Sequence, residues 1–170
     1  LERIWYYGTM NRSAWLDSPL RSEPMATTYA AQLMYHETGV DDGTTNPPSP
    51  IVAYVQSSDF DIGDGHAFGF VDKIIPDVTF DGSTSTSPAL DFTVRPRQFP
   101  GTNYGSSDNP AVYSLNNYSI QQTYNVQQFT QQVYVRVRGR QMAFKVGSVA
   151  LGTQWQLGVP RINVRPDGRR

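Results

Sequence analysis

The sequence predicts an all-β protein, built as an antiparallel β-sandwich or barrel-like domain, and three observations lead there. Helix formers are scarce and chain-breaking residues abundant: 14 Gly and 12 Pro stand against three Glu in 170 residues. Short apolar runs with a two-residue period recur between turn signals along most of the chain. Hydrophobic residues make up 38% and aromatics 12%, enough to build a core, whereas charged residues are only 17%. No apolar run is long enough for a membrane-spanning helix, so no membrane insertion by this chain is expected. The absence of cysteine excludes disulfides, thiolate metal sites and a cysteine nucleophile.

Taken in order, Ile4-Trp5-Tyr6-Tyr7 reads as an aromatic strand stopped by Gly8, and Ala14-Trp15-Leu16 follows a polar turn. Thr27 to Glu37 fits a short helix or a strand, and periodicity leaves both open. Residues 39–50, with Gly39, Gly43 and the run Pro47-Pro48-Ser49-Pro50, have the composition of an extended linker. The boundaries expected are therefore 1–38 for a first β-rich region, 39–50 for a Pro-rich linker and 51–170 for the sandwich. With Leu at position 1 and no signal-type segment after it, the N-terminus reads as a cut within a longer polypeptide.

Beyond the linker, Ile51 to Val55 is a strand that runs into the acidic loop of Asp59, Asp61 and Asp64. Phe68 to Ile75 is a second, ended by Pro76; Val78 to Phe80 and Leu90 to Val94 are two more. Residues 99–110 form a Gly- and Asn-rich loop, and the Gln-rich stretch from Tyr118 to Gln132 suits a half-exposed strand or an interface. Val133, Val135 and Val137 share one strand face while Tyr134, Arg136 and Arg138 share the other. Gly139-Arg140 then reads as the turn of a β-hairpin whose second strand carries Met142, Phe144 and Val146. A last strand points Ile162 and Val164 one way and Arg161, Asn163 and Arg165 the other.

The formal net charge of −1 conceals a separation of sign. From Asp41 to Asp91 the carboxylates are opposed by Lys73 alone, whereas from Gln131 onward Arg136, Arg138, Arg140, Lys145, Arg161, Arg165, Arg169 and Arg170 face only Asp167. Arginine forks suit fixed bidentate contacts. Ion pairing across strands or between subunits is therefore the expected role of Arg136, Arg138, Arg140, Arg161 and Arg165 with Asp59, Asp61 and Asp64. Phosphate contact is the lesser reading, because stacking aromatics are not interleaved with these arginines.

Signals of catalysis are weak. His36 beside Glu37 and His66 after Gly65 lack a nucleophile-elbow partner and read as hydrogen-bonded polar residues. Asp59, Asp61 and Asp64 are the most metal-like cluster, yet the calcium-loop pattern fails at its glycine and its bidentate acid positions. No enzyme, cofactor or metal is expected.

The run Gln132-Val133-Tyr134-Val135-Arg136-Val137-Arg138-Gly139-Arg140-Gln141-Met142, joined to Ala150-Leu151-Gly152, Trp155 to Gly158 and Val164 to Arg170, resembles the C-terminal end of the tail nozzle (tail tubular, hub or DNA-stabilisation type) proteins of short-tailed bacteriophages. His36 to Gly43, Ser57 to Gly65, Ile75 to Phe80 and Arg97 to Gly101 fit the same pattern. The resemblance implies a structural virion protein made in the host bacterial cytoplasm. It implies a homo-oligomeric ring of six copies, docked to a portal adaptor above and to tail fibres or a needle below, with transient non-specific contact with viral DNA in the channel. It also makes residues 1–38 the end of an upstream β-propeller-like region. The alternative is a host-surface carbohydrate-binding sandwich, motivated by Tyr104, Tyr113 and Tyr118 in polar loops.

Overall fold

A computed structural model describes residues 10–62, 65–100 and 122–168. The expected strand at Ile4–Tyr7, Asp64, and the loop tyrosines Tyr104, Tyr113 and Tyr118 lie outside the described residues. The described chain is all β, with every pairing antiparallel. In chain order the strands are β1 (Ala14–Leu16), β2 (Met25–Thr27), β3 (Leu33–Tyr35), β4 (Asp41–Asp42), β5 (Ser49–Pro50), β6 (Ala53–Gln56), β7 (Phe60–Asp61), β8 (Gly69–Ile75), β9 (Val78–Thr79), β10 (Ala89–Arg97), β11 (Gln122–Gln127), β12 (Val133–Gly139), β13 (Gln141–Ser148), β14 (Gln156–Leu157) and β15 (Arg161–Pro166).

Two sheets make the sandwich. One has the order β11-β10-β13-β6, with β7 pairing further along β13, and the other is β12-β8-β15. Alternation along the strands decides what they enclose. Leu90, Phe92 and Val94 of β10 and Met142, Phe144 and Val146 of β13 face inward from one sheet; Val71, Ile74, Val133, Val135 and Val137 face them from the other. Phe92 meets Phe144 edge-on, with ring centroids 5.0 Å apart. Burying each such side chain contributes about 1.5–3 kcal/mol, so this layer dominates the stability. The small β9–β14 ribbon adds Val78, Leu157 and the neighbouring Trp155 to the core.

The expected hairpin at Gly139-Arg140 is replaced by a change of sheet. β12 pairs with β8, whereas β13 pairs with β10, β6 and β7. One residue, Arg140, is too short a link for hairpin pairing, and both strands bury an apolar face that the same core satisfies from opposite sides. Gly139 makes this corner possible: a Cβ there would lie 2.9 Å from the Gln141 carbonyl oxygen and 3.0 Å from that of Arg97. The Arg140 amide donates to that same Arg97 carbonyl.

Residues 27–37 resolve to strand, as β2 and β3 pair around a turn and β1 completes a three-stranded sheet. Residues 39–50 are not an open linker. β4 and β5 form a short hairpin, and the Gly152 amide donates to the Asp41 carboxylate at 2.7 Å, fastening it to the sandwich. Gly152 has φ +68 and a Cβ would meet Thr84 and Ser85 at under 3 Å, so this junction requires glycine.

Candidate functional site

The strands of the β12-β8-β15 sheet carry four exposed arginines, Arg136, Arg138, Arg161 and Arg165. Alternation places Tyr134, Arg136 and Arg138 outward on β12, and all three are exposed. Pairing sets Phe70 of β8 between Arg138 of β12 and Arg165 of β15. Arg138 is ion-paired with Asp167, and its guanidinium lies 3.8 Å over the buried Phe68 ring. Arg140 covers the same ring at 4.7 Å and donates to the His66 carbonyl at 2.6 Å. Phe68 is thus a platform shared by two guanidinium planes, a contact worth roughly 0.5–2 kcal/mol each. Arg161 is exposed at the start of β15, opposite Ile75.

Two carboxylates of the acidic half find arginine partners within the molecule, one of them from the basic half. Arg165 pairs with Asp72 at 2.7 Å, and Arg97 with Asp59 at 3.0 Å. The Asp72 carboxylate also accepts from the Asn163 amide at 2.6 Å, and Asp61 accepts from Gln141 at 2.7 Å. These are surface pairs worth about 1 kcal/mol or less apiece, so they orient side chains more than they hold the fold. Asp59 and Asp61 are engaged with Arg97 and Gln141 respectively, and among the described residues no group of three His, Asp or Glu side chains is placed to hold a metal ion. His36 accepts from Arg12 Nε at 3.0 Å and packs on Trp15 at 4.7 Å, a structural role in the N-terminal sheet.

A cleft of about 690 Å³ opens where the borders of the two sheets meet, at β11 and β12. Phe70, Tyr124 and Tyr134 give it three rings; Asp72, Gln122 and Arg136 give it polar groups. Gln122 bridges the two sheets. Its side-chain oxygen accepts from the Arg136 backbone amide at 3.3 Å and from the Tyr124 hydroxyl. Burial pushes the Tyr124 phenol above its ordinary range, so it stays protonated and serves as a donor. Neither the protein-family models searched nor the curated protein sequences contain a match to this chain.

The cleft escapes sequence reasoning except for one signal. Strand alternation along β8 breaks at Asp72-Lys73, two polar residues in a row. In space this is a bulge: β12 sets Val135 and Arg136 against Asp72, and β15 skips Asp72 between Asn163 and Val164. Both irregularities fall at the cleft.

Proposed function

We propose that this chain is an assembly component, the C-terminal part of a ring-forming tail nozzle of a short-tailed bacteriophage. Its job in this reading is to close or line the DNA exit channel and to dock an adaptor on one side and fibres or a needle on the other. The sequence resemblance supports the identity of the machine. The observation that carries the mode of action is the β6 edge. Ile51, Val52, Tyr54 and Val55 are 47–67% exposed there, and among the described residues no strand pairs with the other side of β6. An apolar strand edge of this kind is an aggregation hazard unless a partner covers it, and head-to-tail contacts between identical copies close into a ring when the rotation permits. The arginines play a smaller part than charge complementarity between copies would require, since Arg138 and Arg165 already pair within the chain.

Sedimentation and electron microscopy of the protein test this reading. The expected result is a closed ring that Val52→Lys reduces to folded monomers, because the exposed Val52 side chain packs on little within the chain. A wild-type monomer persisting at millimolar concentration overturns it.

A further inference from the structure

Independently of assembly, we infer that the cleft at the β11–β12 border is a binding site for an acidic, uronate-bearing oligosaccharide. Its volume of about 690 Å³ lies within the range of small-molecule sites. Its chemistry is that of sugar recognition. A pyranose ring presents apolar C–H faces that stack on aromatic rings, and a rim of hydroxyls that need planar groups with several donors and acceptors. Tyr134, 72% exposed on the outer face of β12, is the stacking surface, and its hydroxyl accepts from Gln132 at 2.6 Å. Phe70 and Tyr124 wall the cleft, while Asp72, Gln122 and Arg136 supply acceptors and donors.

The backbone bulges are a second, separate observation. Two-against-one pairing at Val135-Arg136 and the extra Asp72 in β8 both occur at the cleft, and bulges of this kind re-aim side chains beside binding sites.

Charge selects among polar ligands. Asp72 is neutralised by Arg165, whereas among the described residues Arg136 makes no ion pair, which leaves its fork for a carboxylate. A phosphodiester chain suits the cleft less, because non-specific phosphate binding calls for an uncompensated basic surface and Asp72 lies among these groups. A strand-adding peptide suits it less too, since the Arg136 amide on the β12 border is already taken by Gln122.

The test is titration calorimetry of the protein with three probes: cellotetraose, its C6-oxidised tetrauronate and tetrathymidylate. The tetrauronate is expected to bind roughly tenfold more tightly than cellotetraose, and tetrathymidylate more weakly than either. Tyr134→Ala should weaken both sugars by roughly tenfold or more, and Tyr134→Phe should restore them. Arg136→Gln should erase the preference for the uronate by weakening the tetrauronate far more than cellotetraose, while Arg161→Gln, outside the cleft, should change nothing. All three side chains are exposed, and unchanged thermal unfolding verifies that each variant is folded. Failure of both sugars to bind at millimolar concentration overturns the inference. So does an affinity that survives Tyr134→Ala, or tetrathymidylate binding as tightly as the uronate, which would mark a site of charge alone.

Discussion

The sandwich and the N-terminal sheet use the same kinds of residue to opposite effect. Phe92, Val94, Val137 and Val146 are fully buried, whereas Trp15, Leu16, Leu33 and Tyr35 in β1 and β3 are each more than half exposed. Both regions consist of antiparallel strands with good β propensity. They differ in layers: the five-stranded sheet has the β12-β8-β15 sheet across its apolar face, while β1, β2 and β3 bury chiefly Met25 and Ala26 of the middle strand. An apolar strand face becomes a core only when a second layer covers it. The contrast marks one region as the source of stability and leaves the other, with the β6 edge, as apolar surface that the proposed assembly would cover.

The harshest way to break this contrast is to hollow out the two-layered region. Phe92→Ala should cost about 3–5 kcal/mol, read as a large fall in the urea midpoint, because its ring is wholly enclosed against Phe144. A cost below that of an ordinary surface substitution would mean that the sandwich is not the stabilising unit. Next comes the corner where the chain changes sheets. Gly139→Ala should cost about 1–3 kcal/mol, since the new methyl meets two carbonyl oxygens and Pro96 rather than a flexible side chain.

The comparison is sharpened from the other side by Leu33→Gln combined with Tyr35→Gln. Stability should change by about 0.5 kcal/mol or less for these exposed positions, while self-association measured by light scattering should fall. An unchanged association would remove the N-terminal sheet from the contact surface. The smallest effect concerns Asp42 in the β4–β5 hairpin. Its carboxylate accepts from the Thr44 amide at 2.9 Å, and that bond, helped by the Thr44 side chain and then by Arg12, holds its pKa below the usual 3.8. A depressed carboxyl pKa contributes stability that is present above the unfolded value and is lost as pH falls through the folded one. Carbon-detected titration should therefore place the Asp42 midpoint below 3.8, and Thr44→Pro, which removes both donors of that residue, should raise it toward the ordinary value.

Much of the sandwich was legible because its strands are half-buried. Val133, Val135 and Val137 alternate with exposed residues, and Leu90, Phe92 and Val94 alternate in sequence with the polar Asp91 and Thr93, so period two could be read directly. The limits of β10 were less visible: the strand continues through Pro96 to Arg97, beyond the clean alternation. The candidate cleft was largely hidden, because Phe70, Gln122 and Tyr134 are far apart in sequence and only register brings them together. Even the arginine face was half read, since its outward direction was plain but its partners were not.

Local pattern, acting within a few residues, was enough to determine that this chain is all β, where most of its strands run and which faces of β12 and β13 are apolar. What only the folded molecule decided was which strand lies beside which. Arg140 turns the chain into the opposite sheet, Asp41 is fastened to Gly152, and the carboxylates of Asp59, Asp72 and Asp167 find their arginines. Alternation says that a strand has an inside but not whose inside it shares, because long-range pairing is settled by packing both sheets around one core.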